Sequence, residues 1–85
     1  MQIRPSAKFV RDYKNLSPLL RKRTDEQLEI LLENPQHPSL GLKKMKGFPD
    51  IWEARVTNSY RFTFQIQGDL YLIRRVGTHD VLKRP

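Results

Sequence analysis

The 85-residue chain contains no cysteine, which excludes a disulfide framework and a thiolate nucleophile. It has two histidines, well separated and with no cysteine to join them, so a structural zinc site is not expected. Its four glycines are dispersed rather than gathered into a phosphate-cradling loop, and no nucleotide-binding motif is present. No apolar run approaches the roughly 20 residues a bilayer span requires, and the N-terminus has no signal-peptide h-region. The expectation is a soluble cytoplasmic protein that does not associate with membrane. Acidic residues are also scarce, nine against sixteen lysines and arginines, for a net charge of +7 and an isoelectric point near 10.2. That imbalance points to an anionic partner, most simply nucleic acid. An acidic protein partner fits as well, and a basic surface kept for solubility is the plainer alternative.

What the chain does have is alternation. Across residues 51–79, Trp52, Ala54 and Val56, then Tyr60, Phe62, Phe64 and Ile66, alternate with Glu53, Arg55, Thr57, Arg61, Thr63 and Gln65. Residues 70–76 form a third run, rich in β-branched and aromatic side chains. Period-two alternation predicts half-buried antiparallel strands, and Asn58-Ser59 and Gln67-Gly68-Asp69 supply the turns. A three-stranded meander follows, with one apolar face and one face bearing arginines. Arg55 and Arg61 fall opposite Trp52, Phe62 and Phe64. Arg75 joins them only if it keeps register, and Tyr71 and Ile73 are apolar at its parity.

Upstream, Gln2-Ile3-Arg4 reads as a brief strand that Pro5 ends or marks as an edge. Ser6 caps a helix running to about residue 16, with Phe9, Tyr13 and Leu16 on one stripe and Val10 widening it. Lys8, Arg11, Asp12 and Lys14 stay on its wet side. Ser17-Pro18 starts a second helix, serine as cap and proline at the first helical position. Its buried face is Leu20, Thr24, Leu28 and Leu31, with Leu32 beside them. Asn34-Pro35 stops it, because the residue before proline is pushed out of the α region. Residues 35–50 then read as an irregular connection carrying Lys43, Lys44 and Lys46, and connections of that length are usually functional or mobile. After Val76 the tail leaves the sheet. The chain is long enough for one domain, residues 1–85, and the fold class is α+β.

The residues that can do chemistry are therefore basic. No Ser/His/Asp set suggests itself, and no paired carboxylates share a strand face. Glu53 stands alone as a cross-strand partner for an arginine. Clustered arginines can clamp phosphates through their planar forks and stabilise the pentavalent transition state of phosphodiester cleavage. His79, four residues beyond Arg75, emerges near the same face if the chain stays extended, and imidazole suits proton transfer near neutral pH. In RNA the nucleophile can be the substrate's own 2′-hydroxyl, so neither metal nor cofactor is required. Each piece also has a plainer reading: solvated strand arginines, a surface histidine and a solvated lysine loop.

The order of strand, helix hairpin, basic loop and meander resembles the RelE/ParE toxin superfamily of toxin–antitoxin modules. Leu42-Lys43-Lys44-Met45-Lys46-Gly47 is similar to the Leu-x-Gly segment that precedes the family's meander. Residues 52–56, WEARV, resemble its W-x-x-R-V strand. Ser59-Tyr60-Arg61 resembles its G/D-Y-R triplet, and Arg75-Val76-Gly77-Thr78-His79 its closing R-V-G-x-R/H motif. The resemblance spans essentially the whole chain. Two family features find no match: paired strand lysines, whose places Trp52 and Ala54 hold, and an aromatic side chain in the tail 81–85.

That resemblance implies a metal-independent endoribonuclease toxin that cleaves mRNA, usually on the ribosome, and is held by a cognate antitoxin. Arg61 and His79 would be catalytic, and Lys44, Lys46, Arg55 and Arg75 would hold the RNA backbone. Two other classes stay open: a ParE-like inhibitor of DNA gyrase, and a catalytically weak relative that only binds nucleic acid or antitoxin.

Overall fold

A computed structural model describes residues 1–85, the whole sequence given. Two helices cover one face of a five-stranded sheet. The elements run β1 (Gln2–Pro5), α1 (Ala7–Lys14), α2 (Pro18–Glu33), β2 (Lys43–Lys44), β3 (Trp52–Arg55), β4 (Arg61–Gln67) and β5 (Leu70–Gly77). Short 3-10 turns occupy Pro38–Leu40 and His79–Leu82.

Both helix starts form as their sequences dictate. The Ser6 hydroxyl accepts the Phe9 amide at 3.1 Å, and the Ser17 hydroxyl accepts the Leu20 amide at 3.2 Å. These side chains satisfy amides that the first turn of a helix leaves without partners. Asn34 leaves the helical region, as a residue before proline should. The core gathers Phe9 and Leu16 from the first helix and its corner, Leu31 from α2, and Ala54, Phe62, Phe64, Tyr71, Ile73 and Val76 from the meander. Phe64 meets Tyr71 edge-on, with ring centroids 5.4 Å apart, a favoured arrangement for aromatic pairs.

Several expectations need correcting. The sheet is mixed rather than antiparallel, because β1 pairs with β5 in parallel. The connection 35–50 is not irregular throughout: Lys43–Lys44 pairs antiparallel with β3 and forms the sheet's far edge. A two-residue strand of lysines suits an edge, where charge discourages further pairing. Val10, Leu32 and Ile66 are exposed, since they fall at the margins of the stripes rather than at their centres. Gln27, expected nowhere in the core, is fully buried. Its amide donates to the Arg55 carbonyl at 2.8 Å and to Ser39 at 3.3 Å, so the buried polar group is satisfied. The tail leaves the sheet after Gly77, as expected. It turns back over the second face of the sheet, where the Thr63 hydroxyl donates to the Pro85 main-chain oxygen at 3.2 Å. This return buries Thr63 completely.

The parity problem in β5 is resolved by a β-bulge. Phe64 pairs with Ile73, but Thr63 pairs with Arg75, so Arg74 is an extra residue. Tyr71 and Ile73 therefore face the helices on one side of the bulge, and Val76 does so on the other. Arg75 is left to the second face. No helix is long and apolar enough to cross a membrane.

Two measurements check this packing. Phe64→Ala, at a fully buried site, is expected to lose about 3–5 kcal/mol in urea unfolding. Tyr13 donates to both Asp25 carboxylate oxygens at 2.8 and 3.0 Å, and that hydrogen bond raises its pKa. A raised folded-state pKa contributes stability that is complete below the ordinary tyrosine value of about 10 and lost as pH climbs through the higher one. The stability difference between wild type and Tyr13→Phe should thus be present near neutrality and vanish in strong alkali.

Candidate nucleic-acid interface

Residues paired directly across antiparallel strands point to the same face. Arg55 lies opposite Arg61, and Arg61 lies opposite Gly77. The next row along the same face is Lys43, Glu53, Thr63 and Arg75. The second face therefore carries two directly opposed arginines. Like charges so placed repel, and no carboxylate comes within 4.0 Å of either to form an ion pair.

Arg61 is nevertheless held. Arg61 Nη1 donates to three carbonyls of the β3–β4 turn: Thr57 at 2.6 Å, Tyr60 at 3.0 Å and Asn58 at 3.2 Å. The turn is closed by its own contacts, with the Thr57 hydroxyl accepting the Ser59 and Tyr60 amides. Nε and Nη2 of Arg61 keep no protein acceptor, so half of the fork is anchored and half is open. The Arg55 guanidinium lies over Gly41, whose backbone is left-handed at φ 51°. A Cβ built at Gly41 would stand 3.3 Å from Arg55 Nη2. Glycine there is required by both the backbone and the close approach.

Arg75 is engaged within the fold. It forms a two-pronged ion pair with Asp12 of α1, Nε to Oδ2 at 2.6 Å and Nη2 to Oδ1 at 3.2 Å. Its Nη1 donates to the Arg84 carbonyl at 3.2 Å. The hydrogen bond to Asp12 raises the pKa of Arg75 further. Asp12, expected to be solvated, also accepts the Val76 amide at 3.2 Å, and so satisfies the edge of β5 beyond the reach of β1.

His79 is exposed and opens the 3-10 turn, two residues after Gly77. Through the pairing of Gly77 with Arg61, it emerges at the same end of the sheet as the opposed arginines. Lys44 sits opposite Trp52, so it shares the parity of the helix-covered face. The register brings Lys43 instead to the arginine face. Lys46 is exposed in the turn that follows β2. Sequence reasoning missed Asp12, Arg74 and Gln27. Asp12 and Gln27 act on partners distant in the chain, and only the parity conflict between Ile73 and Arg75 hinted at the bulge.

Neither a protein-family model nor a curated protein matches the chain. Solved structures do. The YoeB/ParE toxin from Agrobacterium tumefaciens superposes with a TM-score of 0.80 at 15% identity, over 93% of this chain and 99% of that one. YafQ from E. coli gives 0.73 at 19% identity over 94% of each. The RelE of the RelB–RelE antitoxin–toxin complex from Methanococcus jannaschii gives 0.70 at 27% identity over 94% of each. The fold is thus that of these toxins. Several neighbours were solved as complexes with an antitoxin, DinJ or RelB.

The geometry makes Asp12 a structural test. Asp12→Ala strands a partly buried guanidinium and the Val76 amide, and charged hydrogen bonds are worth about 1.5–3 kcal/mol each. A loss of about 2 kcal/mol or more is expected in urea unfolding.

Proposed function

We propose that this chain, which shares the fold of the YoeB/ParE, YafQ and RelE toxins, is a member of the RelE/ParE toxin superfamily, the toxin of a toxin–antitoxin module and a metal-independent endoribonuclease that cleaves mRNA, associated with the ribosome. One observation carries the proposal: Arg55 and Arg61 stand directly opposed without a carboxylate, at the end of the sheet where the chain leaves β5 towards His79. Uncompensated opposed arginines make a site for an anion whose charge is shared between two oxygens, as a phosphodiester's is.

In this mechanism the substrate's 2′-hydroxyl attacks the adjacent phosphorus, and the bond to the 5′-oxygen breaks. The products are a 2′,3′-cyclic phosphate and a 5′-hydroxyl. Arg61 supports the negative charge that grows on the phosphoryl oxygens, using its free Nε and Nη2. Its Nη1 anchor fixes the fork before substrate arrives, so little freedom is lost on binding. His79 transfers a proton, taking it from the 2′-hydroxyl or giving one to the departing oxygen. Arg55 holds the backbone from the neighbouring strand, and Lys46 extends that contact from the β2–β3 turn. Lys43, which shares the arginine face at the sheet edge, takes the contact expected of Lys44, and Arg75 adds charge from within its pair with Asp12. A cognate antitoxin is the expected protein partner, through an acidic segment that orders as it covers the basic face.

A second reading, binding without cleavage, is favoured by the engagement of Arg75 with Asp12, which removes one arginine from the set free to meet RNA. Induction in cells separates the classes. The expected result is mRNA cleavage by wild type, reduced about 10²–10³-fold in Arg61→Ala and about 10²–10⁴-fold in His79→Ala, with folding intact. Arg61→Lys should restore little, because lysine lacks the fork. Cleavage by the purified protein should persist in a chelator and leave cyclic phosphate ends. Growth arrest with intact mRNA would favour gyrase inhibition, and absence of both effects would favour binding alone.

A further inference from the structure

Beyond the opposed arginines, the second face of the sheet carries a separate hollow of about 480 Å³. Its apolar floor is Phe48, Ile51 and Leu72, and Arg74, Arg84 and Lys8 stand around it. Arg75 also borders it, but Asp12 offsets that charge. No acidic residue lines the hollow. Arg84 and Lys8 make no ion pair and no side-chain hydrogen bond, so their charges are available. A smaller basin adjoins it through Lys8 and Arg75 and adds Arg11 and Asp12.

Arg74 is placed by the bulge and then fixed flat. Its Nε donates to the Pro85 main-chain oxygen at 2.9 Å and its Nη1 to Gln65 Oε1 at 3.0 Å. A guanidinium plane held in this way, beside an aromatic ring and two branched aliphatic side chains, is a surface on which a nucleobase can stack. The flexible cations Arg84 and Lys8 at the rim suit the attached phosphate. The volume falls within the range of small-ligand sites, about 300–1,000 Å³.

Position relates the hollow to the opposed arginines. Leu72 pairs with Gln65, four residues along β4 from Arg61 on the same face, a span of about 13 Å at roughly 3.3 Å per residue. The returning tail crosses between the two, fixed at Pro85. A single strand of RNA lying on this face and held at Arg61 reaches the hollow within a few nucleotides.

We infer that this hollow is a nucleotide subsite: the base of a residue flanking the scissile phosphate stacks on Arg74 and Phe48, and its phosphate is held by Arg84 and Lys8. The inference deepens the proposed ribonuclease reading and rests on it for the path of the strand. An acidic peptide is the competing occupant, but a peptide carboxylate makes no use of the flat stacking surface.

The test uses the full chain and RNA pentanucleotides carrying one photoreactive uridine at successive positions. Crosslinks from a single flanking position to Phe48 or Leu72 are expected, found by mass spectrometry. The double variant Lys8→Gln, Arg84→Gln should weaken pentanucleotide binding roughly tenfold or more. It should also lower the slope of log K against log salt by about 0.7, the value for one phosphate contact on a single strand. Unchanged binding, or crosslinks confined to β3 and the β3–β4 turn, would overturn the subsite while leaving cleavage at Arg61 untouched. Shifts of the Leu72 methyl resonances with an acidic amphipathic peptide, and none with uridine or adenosine monophosphate, would overturn it in favour of a protein partner. Conversely, crosslinks in the hollow from a chain that cleaves nothing in cells would uphold the subsite and remove the ribonuclease.

Discussion

A single extra residue in β5 decides what both faces of the sheet carry. Side chains alternate strictly along a strand, so a shift of one position exchanges the core set for the solvent set. With Tyr71 and Ile73 facing the helices, an unbroken β5 would send Arg75 into the same core and Val76 to the outside. Burying an unpaired guanidinium there would be far more costly than exposing a valine. The bulge at Arg74 removes the conflict, because Thr63 then pairs with Arg75 and Phe62 with Val76. Bulges have their own cost in disrupted ladder bonds, and here the neighbouring helix meets it. The Ser6 hydroxyl donates to the Arg74 carbonyl at 2.8 Å, and Asp12 takes the Val76 amide. Pairing with β1 ends at Pro5 opposite Ile73, just where α1 takes over the edge.

The bulge also sorts the positive charge. Arg74 and Arg75, adjacent in sequence, both serve the second face, yet the fold uses them differently. Arg75 is bonded through both prongs to a carboxylate, whereas Arg74 contacts only neutral oxygens or the main-chain oxygen of Pro85. Arg55 and Arg61 receive no carboxylate at all. The remaining ion pairs, Arg23 with Glu26 and Lys83 with Asp80, are exposed pairs one turn apart and contribute little. A chain with a net charge of +7 thus leaves Arg55, Arg61 and Arg74 without a carboxylate partner on the face that no helix covers. Mutual repulsion there is relieved by a polyanion, which is why charge and topology point to the same kind of partner.

What the sequence made legible was local. Serine caps, a proline at the first helical turn, the Asn34-Pro35 stop and the alternation of 52–66 each act within a few residues, and each produced its element. The positions of Arg55 and Arg61 on one face followed from counting by twos. The features that escaped are non-local or too small to carry a pattern. Two lysines cannot display a period, so β2 was read as loop. A parallel partner for β1 depends on where the chain returns after nearly its whole length. Asp12 on α1 has the spacing of a solvated residue, and only the arrival of Arg75 beside it gives it a structural role. The face of Lys44 is hidden for the same reason: with β2 unmarked in the sequence, there is no register to read.

The helices have a further role on the face they do not cover. Gln27 of α2 reaches through the core to hold the Arg55 carbonyl, and Asp12 of α1 holds the Val76 amide and the Arg75 side chain. The two outer strands of the meander are therefore fixed from behind, each at the end nearest the opposed arginines. Arg61, on the central strand, is fixed by its own turn. Three independent anchors thus set the spacing of groups that repel one another. Repulsion alone would splay them, and a splayed set would have to be gathered again before it could grip a phosphate. On the proposed reading, like charges fixed in place by folding leave less reorganisation for a bound anion to drive, which is preorganisation.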